Sequence, residues 1–310
     1  MTGVPTLNPF SPEAASIAHL FVAILLVMFS IFALVATLVT VAIIRYRDRE
    51  GAVEARQEFG NPRLEIIWTV LPALLLVAIF IFTVRTIHAS DPPVSGRAPD
   101  LRVIGHQWWW EADYLKSGIV AANEIHIPVG TPILLEVESA DVIHDFWVPE
   151  LGRKIDAIPG HPNHIWISAE KPGTYLGTCA EFCGNQHAWM RIVVIAQRPA
   201  DFAAWQHRQL SVPPVPTAGV AAQGAQLFRD QTCVNCHTIS GTPANQRIGP
   251  DLTHLAGRGT IAAGAAADTP ANLFKWLKDP NSIKPETHMP NFQLTDAQAR
   301  ALVAYMETLK

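Results

Sequence analysis

The chain has 310 residues, 49% of them hydrophobic and 16% charged, with a mean hydropathy of +0.18 and a formal net charge of -4. It is too apolar for a disordered chain, and it lacks the basic excess that tracks a phosphate backbone, so nucleic acid is excluded as a natural partner. Its four cysteines are too few for a disulfide-dense scaffold and fall in two close pairs, Cys179 with Cys183 and Cys233 with Cys236, a spacing that points to metal or cofactor chemistry.

From Ile17 to Ile44 the chain carries no formally charged residue, and a second apolar stretch runs from Ile66 to Val84 and continues to about residue 87. Each reaches the roughly 20 residues that a helix needs to cross a bilayer, and Pro72 in the second is tolerated where neighbours satisfy the freed carbonyl. The sequence therefore predicts a transmembrane helical hairpin over 1–91, with spans at about 17–44 and 66–87. Between the spans lie Arg45, Arg47, Arg49, Arg56 and Arg63, and no Lys or Arg precedes them. The positive-inside rule puts this loop in the cytoplasm and both termini on the extracytoplasmic side of a bacterial inner membrane. Residues 1–16 lack a basic leader, so the first span is expected to be retained.

Beyond Asp91 short β-branched and aromatic runs alternate with Pro and Gly, as in LRVIGHQWWWEADY, TPILLEVES and MRIVVIA, and predict an all-β domain over 92–210. One loop, CAEFCGNQHAWM, brings Cys179, Cys183, His187 and Met190 within twelve residues, and His144 in DVIHDFW is a long-range candidate to join them. Soft sulfur and imidazole ligands at that spacing suit copper. Two thiolates four residues apart can bridge a pair of copper ions and share one electron across them. A Cys179–Cys183 disulfide is the competing reading, and zinc is disfavoured by the methionine.

The stretch SVPPVPTAG, residues 211–219, has the composition of a linker, and a helical domain follows over 220–310. Cys233-Val-Asn-Cys236-His237 is a C-x-x-C-H motif, in which the thiols add to the vinyl groups of a haem and the imidazole sits under the iron. A zinc knuckle would need a second ligand pair that this sequence lacks. AAQGAQLFRDQT and DAQARALVAYMETLK read as two amphipathic helices that would pack together and enclose the haem, with Met306 on the core face.

Two spans followed by GHQWWW, DVIHDFWVP, KIDAIPG and CAEFCGNQHAWM resemble subunit II of haem-copper cytochrome c oxidase, and the C-terminal part resembles a class I cytochrome c. The resemblance implies a helical hairpin, an all-β cupredoxin domain and an all-α cytochrome c domain, as in caa-type oxidases. It implies a binuclear CuA centre bridged by Cys179 and Cys183. His144 and Met190 would complete one ion, and His187 with the Glu181 carbonyl the other. It implies haem c held by Cys233 and Cys236 with His237 and Met289 as axial ligands, His254 and His288 being the alternatives to Met289. By the same resemblance Trp108 is the exposed aromatic that receives electrons, the Glu181 side chain binds Mg at the interface with subunit I, and Glu65 marks a proton path. An interfacial carboxylate is the plainer reading of Glu65, and a core tryptophan that of Trp108.

The implied function is electron relay from a donor, cytochrome c or a membrane complex, through haem c and CuA to subunit I for O2 reduction coupled to proton pumping, among other oxidase subunits in the bilayer. No oxygen-reducing site is expected in this chain. The alternatives are the electron-accepting subunit of a CuA-containing nitric oxide reductase and a membrane-tethered copper carrier or redox sensor. From Ser90 to Leu210 there are nine Lys+Arg against fourteen Asp+Glu, and from Val220 onward eight against seven, so the β domain is acidic and the helical one near neutral.

Overall fold

The computed structural model describes residues 3–47, 51, 59–91, 94 and 96–310, which fall into two compact units, residues 15–91 and the remainder. The first unit is built by helices α1 (Pro12–Arg45) and α2 (Pro62–Ser90). At 1.5 Å per residue both exceed the roughly 30 Å of a hydrocarbon core. Their flanks are apolar and open, with Phe29 and Phe32 about 70% exposed, a surface suited to lipid or a neighbouring subunit rather than water. Hydroxyls in the spans are satisfied internally: Ser30, Thr37, Thr40, Thr69 and Thr83 each donate to the carbonyl four residues back. Asn61 caps α2 by accepting from the amides of Arg63 and Leu64, Pro62 opens the helix, and the helix runs through Pro72. Of the basic residues between the spans, Arg45, Arg47 and Arg63 are described, whereas Arg49 and Arg56 lie outside the described residues.

In the second unit, the described residues form two five-stranded sheets around one core. The strands are β1 (Leu101–His106), β2 (Trp109–Tyr114), β3 (Ile119–Ala122), β4 (Glu124–Pro128), β5 (Ile133–Ser139), β6 (His144–Trp147), β7 (Ile155–Ala157), β8 (Asn163–Ile167), β9 (Gly173–Cys179) and β10 (Arg191–Gln197). Their order is β3-β2-β1-β5-β8 in one sheet and β4-β10-β9-β6-β7 in the other. Alternation in β1 drives Leu101 and Val103 into the core, where Trp110, Phe146, Ile165 and Ile192 complete the layer between the sheets.

Two features were not anticipated. Residues before α1 pack on the sandwich rather than with the hairpin: the Phe10 amide donates to the Glu150 carbonyl at 2.8 Å, the Phe10 carbonyl accepts from the Glu170 amide at 2.8 Å, and the Ser11 hydroxyl donates to the Leu151 carbonyl at 2.9 Å. After β10 the chain forms helix α3 (Pro199–Gln209), whose Trp205 is buried against His126 and Tyr114 at ring distances of 4.2 and 5.1 Å.

The helical domain is made by α4 (Gly219–Asp230), α5 (Pro270–Lys278) and α6 (Asp296–Met306). Thr295 and Gln298 form a capping box that starts α6. Helices α4 and α6 cross with Phe228 against Tyr305 at 5.9 Å, and Leu273, Leu277 and Leu302 close the core.

Charge complements charge where the two halves of this unit meet. Arg247 of the helical domain lies 3.2 Å from Glu111 and 3.3 Å from Asp113 of β2. Desolvation, with a smaller repulsion from Asp113, pushes the Glu111 carboxyl up to about 7 although Arg247 opposes it. A carboxyl raised on folding holds its proton more tightly in the native chain, so its contribution falls as pH climbs from about 4.5 to about 7. Glu111→Gln should remove that penalty. Its melting temperature relative to the wild type is expected to rise across this window in paired thermal scans, and a flat difference would refute the assignment.

Candidate functional site

The loop between β9 and β10 begins at Cys179 and ends at Met190. Strand β6 pairs with β9 so that Phe146 lies opposite Cys179, and His144, two residues back on the same face, reaches the loop. The thiols are free, with sulfurs 3.7 Å apart, so the Cys179–Cys183 disulfide is not formed. Around them stand His144 Nδ1 at 3.8 Å from Cys179, the Glu181 carbonyl at 3.2 Å from Cys179, His187 Nδ1 at 3.6 Å from Cys183 and Met190 Sδ at 3.8 Å from Cys183. Two thiols, two imidazoles, a thioether and a carbonyl converging in a buried pocket form the donor set of a soft-metal centre, and it fits copper. His144, Cys179 and Cys183 alone already gather their ligand atoms within 4.8 Å of one another.

Protonation is shared across the thiol pair. The hydrogen bond from Cys183 holds Cys179 well below the usual thiol range, and the same contact pushes Cys183 up. On the far side of its ring, His144 Nε2 meets Asp141 Oδ1 at 2.8 Å, which fixes the ring and leaves Nδ1 toward the sulfurs.

In the helical domain Cys233, Cys236, His237 and Met289 line a cavity of about 240 Å3 whose apolar walls include Leu252, Leu273 and Leu277. His237 Nδ1 bonds the Pro250 carbonyl at 2.8 Å, which orients the ring and leaves Nε2 for a ligand bond. Only glycine can stand at Gly249, because a Cβ there would lie 2.5 Å from His237 Cε1. A half-buried imidazole held by the Pro250 carbonyl beside two free thiols in an apolar cavity fits covalent haem. Of the alternatives to Met289, His254 is turned away, its Nε2 3.0 Å from the Gln209 carbonyl, and His288 also borders the cavity but rests on Trp108 at 4.5 Å. Met306 is buried in the core on the same wall.

Trp108 departs from the expected exposed aromatic. It is 8% exposed because the helical domain covers it, with the Lys284 ammonium donating to its carbonyl at 2.6 Å and His288 against its ring. Its indole Nε1 donates to the Cys183 carbonyl at 2.9 Å, and Gln107 Nε2 donates to the same oxygen at 2.8 Å. Trp109 borders the haem cavity beside it. The signal missed in the sequence is Lys284, a cation in a loop otherwise dominated by Pro, Asn and Thr.

The Glu181 side chain is exposed, and among the described residues no group of metal-ligating side chains gathers around it. Glu65 lies in the exposed first turn of α2, where a carboxylate complements the helix N-terminus.

Comparison with known proteins settles the family. The model for the cytochrome c oxidase subunit II transmembrane domain matches residues 8–86, that for its periplasmic domain matches 117–197, and the cytochrome c model matches 221–310. Cytochrome c oxidase subunit 2 of Alkalihalophilus pseudofirmus is 36% identical over 98% of this chain and 90% of its own length. This chain belongs to the cytochrome c oxidase subunit II family. The subunit 2 of Bacillus sp. strain PS3 is 33% identical over 86% of this chain and 80% of its own length. The crystal structure of the periplasmic domain of subunit II of cytochrome oxidase from Bradyrhizobium japonicum is 34% identical and covers 36% of this chain and 95% of that one, with a TM-score of 0.35. As a cytochrome c oxidase subunit II, the protein is a membrane protein with a periplasmic domain, part of a haem-copper oxidase, and its families imply copper and haem c.

Proposed function

We propose that this subunit II receives electrons from a donor, cytochrome c or a membrane complex, and relays them through haem c and binuclear CuA to subunit I of a caa-type oxidase for O2 reduction coupled to proton pumping. The observation that carries this reading is the contact between the two sites: Trp108 borders the cavity that holds Cys233, Cys236 and His237 and bonds directly to the Cys183 carbonyl. When bound, haem c and copper each supply a one-electron carrier. The residues of the chain supply geometry. Cys179 and Cys183 would bridge the coppers, His144 with Met190 would complete one ion, and His187 with the Glu181 carbonyl the other. Asp141 and the Pro250 carbonyl fix the two imidazoles that must not turn during turnover. Burial of both cysteines of the copper loop and of Met190 excludes water, which keeps the site rigid between oxidation states.

In the other domain Cys233 and Cys236 would form thioethers, with His237 and Met289 as axial ligands. The arginines between the spans support a cytoplasmic connection with both termini and the soluble domains outside. We read 92–210 and 220–310 as the copper and haem domains joined through 211–219. The open carboxylate of Glu181 is suited to Mg at the subunit I interface, and Glu65 to the mouth of a proton path. Electron paramagnetic resonance of the purified complex is expected to show one electron shared by two coppers, and a single-copper hyperfine pattern would refute the binuclear centre. Met289→Ala should abolish the weak sulfur-to-iron absorption band and lower the haem potential, since a thioether favours ferrous iron, while retention of the band would move the assignment to another methionine.

A further inference from the structure

The haem domain does not simply hang from its tether; it is fastened to the copper domain by side chains that face no solvent. Glu124 on β4 is 4% exposed, and its carboxylate accepts from the Gly259 amide at 2.9 Å, the Thr260 amide at 2.8 Å and the Thr260 hydroxyl at 2.7 Å. All three donors belong to Gly259 and Thr260, and Thr260 itself lines the haem cavity. Lys284, 3% exposed, crosses in the opposite direction and donates to the Trp108 carbonyl, and no carboxylate meets it among the described residues. The Arg191 amide adds a bond to the Ala263 carbonyl at 3.3 Å, and Asn185 of the copper loop meets Glu286.

A buried carboxylate whose hydrogen-bond donors among the described residues come from another domain's amides and hydroxyl, and a buried ammonium that donates to another domain's carbonyl, are costly unless the two domains stay together. We propose that Glu124 and Lys284 are positioning residues that latch the haem domain over Trp108, so that Trp108 serves this chain's own haem and is closed to any soluble carrier. An external donor must then dock on the haem domain. This rests on the functional reading above, because it takes the two sites to be loaded.

The test uses the full complex carrying Glu124→Ala or Lys284→Met, each checked first for unaltered copper and haem c spectra. In the wild type, the ferric haem should speed the relaxation of the copper resonance by a single fixed amount, and a soluble ferrocytochrome c should reduce haem c before copper. Each variant should lose that uniform relaxation. Its undocked population should rise by at least about tenfold, the factor for losing one charge-assisted hydrogen bond as in Lys284→Met, and by more in Glu124→Ala, which loses three, with direct reduction of copper by the soluble protein appearing in stopped flow. Gly259 and Thr260 amides should also exchange faster with solvent in Glu124→Ala. Intact spectra with unmoved relaxation and an unchanged order of reduction in both variants would overturn the latch while leaving the functional reading in place. Absence of the copper or haem spectrum from the wild type would overturn both.

Discussion

Cys183→Ala in the assembled oxidase is expected to leave haem c reducible by the donor while the haems of subunit I stay oxidised. Cys183 sits at the centre of the copper loop: its sulfur faces Cys179, His187 and Met190, and its carbonyl accepts both the Trp108 indole and the Gln107 amide. Alanine keeps the carbonyl and its two hydrogen bonds, so the junction with Trp108 survives, but it removes one of the two thiols proposed to bridge the coppers, and no third cysteine stands in the loop to replace it. The effect should therefore be nearly complete loss of electron flux with an intact haem c spectrum. Cys236→Ala should fail upstream instead, with impaired haem attachment and a copper site that a small reductant can still reduce. Stopped-flow spectra distinguish the two. Reduction of the subunit I haems in Cys183→Ala at the wild-type rate would show that copper lies off the path.

Gly224→Ala should abolish covalent haem without disturbing copper. Gly224 lies where α4 crosses α6, and a Cβ there would fall 1.9 Å from the Ala301 carbonyl oxygen and 2.6 Å from its carbon. Both are backbone atoms inside a capped helix, so neither can swing aside as a flexible side chain would. Overpacking of this kind costs at least about 1–3 kcal/mol where side chains can adjust, and more against backbone. For a domain of some ninety residues the crossing is indispensable, since the pair α4 and α6 carries Phe228, Leu302 and Met306 into the haem cavity wall or its core. Haem staining after gel electrophoresis should be lost in this variant, whereas the copper resonance should persist. Normal haem incorporation would mean that the helices can separate at Gly224 without harm.

How far the site was legible follows from where its residues lie along the chain. Cys179 to Met190 sit in one loop, so their common purpose is written locally; so is Cys233 to His237. His144 was reachable because β6 is short and aromatic, yet its partnership with Cys179 depends on the β6–β9 pairing, which only the folded sandwich provides. Trp108 was legible as an aromatic, either exposed or in the core, but not as one covered by the helical domain: Lys284 in that cover comes 176 residues later, and no periodicity relates the two. Helix α3 was missed although Pro199 at its first position is a start signal, because the segment is short and mixes Gln, His and Arg with its few apolar residues. The attachment of Phe10 to the sandwich likewise joins residues about 140 or more positions apart, beyond the reach of any local pattern.

The docking of α3 by Trp205 changes the statistics of the domain that follows. With α3 held, the free tether is only the stretch from Leu210 to Ala218, nine residues between Gln209 and Gly219. Fully extended it spans about 30 Å. A domain held on so short a leash searches a small volume and meets its counterpart at an effective concentration in the millimolar range. An interface at that concentration stays occupied even if the same two domains, cut apart, would bind each other only weakly. That is why contacts made largely of single carboxylates, amides and cations, such as Glu124, Arg247 and Lys284, can suffice where separate proteins would need a broad apolar surface.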